Sequence, residues 1–104
     1  VSVHTGNNVL AVSRWNHVTV TYDGTVGTQG NRFKIYIDGI DQTATGDIYS
    51  TGTIANISPD TTQIGGEPGA QVNMALDEVR FYNRVLSKRE IMNIFCNCRD
   101  VANE

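Results

Sequence analysis

The sequence predicts an all-β domain that ends in one short helix. Thr, Asn, Gly and Ser fill about a third of the 104 positions, a bias that favours extended chain and turns. Several short segments alternate apolar and polar residues, with the two-residue period of a half-buried strand. A helix start signal occurs near the end of the chain and is followed by apolar residues at helical spacing. At this length we expect one domain with one core.

The clearest strands form a predicted hairpin. Residues 17–22 alternate polar and apolar side chains and stop at the turn dipeptide Asp23-Gly24. Residues 32–38 alternate in the same way, with Tyr36 on the polar face, and stop at a second turn dipeptide, Asp38-Gly39. The polar, Gly-containing stretch between the two segments is typical of a hairpin loop, so an antiparallel pair is predicted.

Three further strands are predicted from weaker patterns. They cover Tyr49–Ile54, Thr61–Gly65 and Met74–Tyr82. In the last of them the alternation slips between Asp77 and Glu78, which predicts a bulge or bend at that point.

The helix start is a capping box. Ser87 precedes Glu90 by three residues, so each side chain can bond the backbone N–H of the other. Leu86 and Ile91 occupy the positions of a hydrophobic staple around this box. We expect a short helix, with a tail after Cys98 that frays. Its apolar stripe consists of Ile91, Ile94 and Phe95.

Charge is unevenly distributed along the chain. The formal net charge is −3, yet residues 35–79 contain seven carboxylates and no Lys or Arg. A segment of this kind repels phosphate, so a nucleic-acid partner is not expected. It suits a divalent cation better, and the alternative is that these side chains are solvated loop residues. The seven are Asp38, Asp41, Asp47, Asp60, Glu67, Asp77 and Glu78.

Signals for several other classes of protein are missing from the sequence. No apolar run approaches the roughly 20 residues that cross a bilayer, so no membrane span is predicted. Residues 1–8 lack the pattern of a signal peptide. Cys96 and Cys98 are too few for a four-ligand zinc site and too close for an unstrained disulfide, so we expect free or externally paired thiols. Neither His4 nor His17 stands in a pattern typical of nucleophilic catalysis.

Four segments occur in a fixed order within residues 9–95. The W-x-H-V piece of the first segment and the Y-x-D-G piece of the second are weak signals alone, whereas the last segment is the most specific. The segments are WNHVTVTYDG (15–24), KIYIDG (34–39), TQIGG (62–66) and LDEVRFYNRVLS (76–87) with Glu90-Ile91. Together they resemble the laminin G-like modules of the concanavalin A-like lectin/glucanase superfamily, which also includes the pentraxins.

The resemblance implies a jelly-roll sandwich of two curved antiparallel sheets, in a secreted or cell-surface protein. Family members carry a further block of strands before the Trp15 strand. We therefore expect residues 1–104 to form a single laminin G-like domain that lacks its N-terminal strands, a partial sandwich. Each uncovered Val, Ile or Phe forfeits roughly 1.5–3 kcal/mol of burial. A complementary chain or a second copy of this chain is therefore expected to cover the open sheet.

In relatives, the Asp of the equivalent acidic pair in the last strand is a ligand for a structural Ca²⁺. The resemblance therefore implies one Ca²⁺ site with Asp77 as a ligand. The alternative is that Asp77 caps a turn or pairs with Arg80 or Arg84. Catalysis is not expected, because adjacent residues such as Asp77 and Glu78 point to opposite faces of a strand. Glycosidases need two carboxylates across one bond at roughly 5–10 Å. The E-x-D-x-x-E strand of the active glucanases is absent from the sequence.

We expect a non-catalytic module that binds a carbohydrate or an extracellular protein through loops at the rim of the sandwich. The candidate ligand-binding residues combine aromatic faces with polar groups and are Trp15, Tyr36, Asp38, Asp41 and Glu67. Core packing is the alternative for Trp15 and Tyr82, since aromatic side chains contribute large buried areas. Two other functions remain open: an assembly piece whose open sheet pairs with another chain or a second copy, and a glycoside hydrolase fragment.

Overall fold

The computed structural model describes residues 4–28, 31–44, 64–66, 69 and 73–102, with side chains described as far as residue 97. The chain divides into two compact units. Val1–Thr51 and Tyr82–Glu104 form the first unit, which holds a sheet and a helix, and Gly52–Phe81 forms the second. The strand predicted over Tyr49–Ile54 lies outside the described residues, as does most of the one predicted over Thr61–Gly65.

The sheet has three antiparallel strands in the order β1-β2-β3. They are β1 (Val18–Tyr22), β2 (Phe33–Ile37) and β3 (Ile40–Asp41). Val20 of β1 lies opposite Ile35 of β2, so the predicted hairpin is confirmed. A single bridge between Thr5 and Thr43 continues the sheet beyond β3.

The turn between β2 and β3 is the predicted Asp38-Gly39 pair. Asp38 has φ 51° and Gly39 has φ 79°, and two central residues with positive φ identify a type I′ hairpin turn. Asp tolerates this region better than most residues and Gly adopts it freely. A Cβ built at Gly39 would also lie 2.7 Å from the Met92 Cε atom, so a larger residue there would make the end of the Met92 side chain move.

The helix α1 (Lys88–Ala102) begins at the predicted capping box. Ser87 Oγ accepts the Glu90 N–H at 3.1 Å, and Glu90 Oε1 accepts the Ser87 N–H at 3.2 Å. Leu86 and Ile91 are both buried and share one apolar cluster with Tyr36 of β2, which confirms the staple. The helix therefore covers the sheet face that carries Tyr36, with Ile94 packed at the edge of the cluster.

The expectation of a short helix with a frayed tail is wrong, since α1 has 15 residues and runs through Ala102. Once a capping box and a docked apolar stripe have formed the first turns, each added residue gains a backbone hydrogen bond. In the described residues no helix is both long and apolar enough to cross a bilayer.

The last predicted strand is not formed in the structure. Residues 73–82 belong to no ladder among the described residues, and their side chains are exposed. Extended backbone becomes a strand only where a neighbour takes its N–H and C=O groups. The predicted break in alternation is present, because Glu78 has φ 55° and interrupts the extended chain. The described residues thus form one sheet and one helix, and the second sheet of a full jelly roll is not seen among them.

Candidate functional site

Residues 10–16 form the Trp15 loop, which leads into β1. The side chain of Asn16 fixes this loop. Asn16 Oδ1 accepts the Ala11 N–H at 3.1 Å, and Asn16 Nδ2 donates to the carbonyls of Ala11 at 2.8 Å and Arg14 at 3.2 Å. Asn16 thus holds both ends of a short turn. A side-chain amide provides this combination of acceptor and donors in a single group.

Large side chains of the Trp15 loop point into solvent. Trp15 is 64% exposed, Val12 91% and Leu10 54%. The alternative that Trp15 packs in the core is therefore wrong, and Tyr82, at 48% exposed, is not a core residue either. An exposed indole on a fixed loop gives an accessible aromatic surface, which is the type of group that dominates binding energetics in many interfaces.

Asp38 connects the Trp15 loop to the β2–β3 turn. Its Oδ1 accepts the His17 N–H at 2.9 Å, and its Oδ2 accepts from Arg14 Nη2 at the same distance. The backbone adds a bond from the Asp38 N–H to the His17 carbonyl at 2.8 Å. Only 19% of the Asp38 side chain is exposed, against 60% for Arg14. Asp38 therefore orients Arg14, the sequence neighbour of Trp15, and most of the Arg14 side chain stays exposed to solvent.

Asp41 holds the other end of β3 through the same kind of local contact. Its Oδ1 accepts both the N–H of Thr43 at 2.9 Å and the Thr43 hydroxyl at 2.7 Å, and that hydroxyl accepts the Ile35 N–H at 2.7 Å. Burial opposes ionisation of Asp41, but the Thr43 hydrogen bonds and the charges of Lys34 and Lys88 outweigh it and lower its pKa. Asp41 is thus an ionised side chain engaged in the fold.

Tyr36 is buried rather than displayed. It is 6% exposed and lies in the cluster with Leu86 and Ile91, so the expectation that it offers an aromatic face to a ligand is not met in the structure. Burial, followed by the charge of Asp41, raises the pKa of Tyr36. Helix α1 covers the face that the strand alternation marks as polar, and this explains the difference.

Asp77, the predicted calcium ligand, lies in the second unit. Its Oδ1 accepts the N–H of Glu78 at 2.8 Å, and Glu78 Oε2 pairs with Arg80 Nη2 at 2.8 Å. Within the part of the chain that the structure describes, no three His, Cys, Asp or Glu side chains are grouped to hold a metal ion. Glu67, the remaining predicted ligand-binding residue, lies outside the described residues.

Of the predicted residues that the structure describes, Asp38 is the one that is joined to the Trp15 loop, through its bond from Arg14. Arg14 and Asn16 are the side chains of this candidate site that sequence reasoning missed. Arg14 could have been found, because Arg beside Trp is a common combination at binding surfaces. Asn16 carries no pattern that distinguishes it from other loop asparagines.

A family model described as the concanavalin A-like lectin/glucanases superfamily, of the laminin G type, matches residues 1–92. Searches of curated proteins and of solved structures give no match. Laminin G-like domains are generally non-catalytic modules that bind carbohydrate or protein, and they are typically extracellular. The match covers most of the chain and confirms the resemblance of the four segments. This chain belongs to the laminin G-like group of the concanavalin A-like lectin/glucanases superfamily.

Proposed function

We propose that this domain is a non-catalytic carbohydrate-binding module that acts outside the cell and contacts its ligand through the Trp15 loop. The observation that carries the proposal is the 64% exposed indole on a loop held by three Asn16 hydrogen bonds. A loop fixed before binding loses little conformational entropy when a ligand arrives. An exposed aromatic ring without such support would have to be ordered at the expense of affinity.

The chemistry of the loop fits a sugar ring. The apolar C–H face of a pyranose can stack on the Trp15 indole, while hydroxyl groups at the ring edge accept hydrogen bonds from Arg14. Arg14 has several N–H donors, and its contact with Asp38 orients them. The Trp15 loop therefore carries an exposed aromatic ring and an oriented polar group on consecutive residues, the two kinds of group that small-ligand sites combine.

The proposal assigns the other predicted residues as follows. Trp15 contacts the ligand, and Asp38 positions Arg14. Tyr36 and Asp41 belong to the fold, since the first is buried and the second is bonded to Thr43. Glu67 stays a prediction.

Screening against immobilised glycans, followed by titration calorimetry with the best ligand, tests the proposal. Trp15→Ala is expected to weaken binding by about 5- to 150-fold, the equivalent of the about 1–3 kcal/mol that stacking of a planar base on one aromatic ring contributes. Trp15→Phe keeps a planar ring and is expected to retain part of the affinity. Val12→Ala is the matched control, since Val12 lies on the same loop and is 91% exposed. Equal affinity of Trp15→Ala and Val12→Ala would show that the indole is not the contact.

A calcium ion at Asp77 is a further part of the proposal. One carboxylate at a bend falls short of the roughly six to eight oxygens that Ca²⁺ takes, so backbone carbonyls and water must supply the rest. We therefore expect a weak site, with affinity in the range of extracellular modules, about 10⁻⁴–10⁻³ M. Calcium titration by calorimetry is expected to show saturable heat that Asp77→Asn removes. An identical titration of the wild type and Asp77→Asn would reject Asp77 as a ligand.

Assembly is a second candidate function, and one observation favours it. The sheet face opposite α1 carries apolar side chains that remain largely in contact with solvent: Val18 is 53% exposed, Val20 57% and Ile40 58%. Ile35 and Ile37 share this face and are buried, so the exposed side chains lie at its margins. Exposed apolar side chains grouped on one face mark interaction sites. A second copy or a complementary chain that covered them would recover burial free energy.

A further inference from the structure

β1 is an edge strand of the sheet that the described residues form. In the described part of the chain its one neighbour is β2, whereas the far side of β3 is continued by the Thr5–Thr43 bridge and by the bond from the Ala44 N–H to the His4 carbonyl at 3.0 Å. Edge strands are normally protected by charged residues, proline or bulges. The sequence of β1, VTVTY, has none of these.

The backbone bonds of β1 alternate, which defines the groups that face outward. The Asp38 N–H donates to the His17 carbonyl and the Asp23 N–H donates to the Arg32 carbonyl, so odd-numbered residues bond toward β2. By the antiparallel pattern, the N–H and C=O groups of the even-numbered residues point away from β2. The outward set is Val18, Val20 and Tyr22.

We propose that β1 pairs antiparallel with β1 of a second copy of this chain, with Val20 facing Val20 across a two-fold axis. In this register Val18 lies opposite Tyr22 of the second copy, so even-numbered residues face even-numbered residues. The outward N–H and C=O groups of one copy therefore meet outward C=O and N–H groups of the other. A register shifted by two residues would replace a pair among Val18, Val20 and Tyr22 with one that contains Gly24 or Asn16.

The side chains are compatible in the same register. His17 lies opposite Asp23 of the second copy; because the His17 ring already lies against Phe95 and Asp23 Oδ1 already accepts from Thr25, this pair introduces no repulsion and is not counted as a new bond. Thr19 lies opposite Thr21, a pairing that antiparallel sheets favour. No like charges meet along the ladder.

The pairing also joins the exposed apolar faces of the two copies. Cross-strand partners share a face, and the Tyr22 and Phe33 rings, 4.8 Å apart, confirm which residues of β1 and β2 do so. The half-exposed Val18 and Val20 would lie beside their counterparts in the second copy. Pairing therefore gives the assembly candidate a defined partner and register. It rests on that candidate and is independent of carbohydrate binding by the Trp15 loop.

Sedimentation velocity of the 104-residue chain tests the proposal over roughly 0.01–1 mM, because an interface made by one short strand is small and weak. A reversible monomer–dimer equilibrium is expected. Val20→Lys places two ammonium groups opposite each other at the axis and is expected to raise the dissociation constant at least tenfold. Ile40→Lys is the matched control on the same face, 58% exposed against 57% for Val20, and is expected to dimerise like the wild type.

Residue-resolved amide exchange of the unmodified chain provides a second readout that needs no variant. The amides of Val18, Val20 and Tyr22 are expected to exchange more slowly as concentration rises, while those of Thr19 and Thr21 stay unchanged. A chain that is monomeric at every concentration would overturn the proposal. A dimer that Val20→Lys leaves intact would also overturn it. Equal weakening by Val20→Lys and Ile40→Lys would overturn it too, because equal loss indicates that the two sheets stack face to face and do not pair along β1. Dimerisation without sugar binding, or the reverse, separates this proposal from the carbohydrate site.

Discussion

Replacing Ile91 with Ala tests how the helix is attached to the sheet that carries the Trp15 loop. Ile91 is fully buried, at 0% exposed, and lies in one cluster with Tyr36 and Leu86. It is also the staple partner of Leu86, so the substitution removes both the helix entry contact and the centre of the cluster.

The expected loss follows from the size and burial of the side chain. Ile→Ala removes three carbon atoms, and at about 0.8 kcal/mol for each buried methylene the transfer contribution is about 2.4 kcal/mol. The cavity left in the cluster raises the total to about 2–5 kcal/mol. A domain of this size has about 5–15 kcal/mol of net stability, so a large part of it depends on this one side chain.

Urea unfolding followed by far-ultraviolet circular dichroism measures the loss. With a slope of about 1–3 kcal/mol per molar urea, the midpoint is expected to fall by about 1–2 M or more. Asn93→Ala, at an exposed position of the same helix, is the control and is expected to change stability by less than about 0.5 kcal/mol. A loss of the same small size for Ile91→Ala would refute the docking of α1 through this cluster.

Three other predictions concern the turn, the helix start and the loop. Gly39→Ala is expected to lower the free energy of unfolding by about 1–3 kcal/mol, because φ there is 79°; an unchanged urea midpoint would contradict the turn geometry. Hydrogen bonds from Arg84 and the Ser-capped helix start lower the pKa of Glu90 from 4.5 to about 2. Its stabilising contribution is therefore complete above pH 4.5 and lost as the pH falls through about 2, and Glu90→Gln is expected to flatten the stability profile over that window. Asn16→Ala is expected to reduce the fluorescence anisotropy of Trp15 and to cost about 1–2 kcal/mol, whereas unchanged anisotropy would show that Asn16 does not fix the loop.

Local features could be predicted from the sequence because their signals are local. The Asp38-Gly39 turn, the Ser87–Glu90 capping box and the β1–β2 hairpin are each determined by residues within a few positions of one another. Even the break at Glu78 is visible as a slip in alternation. In each case the structure shows the predicted backbone.

Which aromatic residue is displayed could not be predicted: Trp15 and Tyr36 are both candidate ligand-binding residues in the sequence, and in the structure Trp15 is exposed whereas Tyr36 is buried. Tyr36 lies on the polar side of an alternating strand, and nothing in that strand indicates that α1 packs on it. Trp15 precedes β1, where its exposure depends on the turn that Asn16 makes. Both outcomes depend on contacts between distant parts of the chain.

Strand formation at residues 74–82 is also nonlocal. The alternation of apolar residues is present, but a strand requires a neighbour, and none is found in the described part of the chain. Alternation therefore predicts the capacity to pair. It does not supply the partner.

Fluorescence titration of the unmodified chain tests the proposed function most directly. Trp15 is the one tryptophan of the chain, so its emission reports the loop without labelling. A sugar that stacks on the indole is expected to give a saturable blue shift, and Asp38→Asn is expected to weaken it by releasing Arg14. An emission spectrum that no glycan changes up to millimolar concentration, with calcium present or removed, would contradict carbohydrate binding by the Trp15 loop.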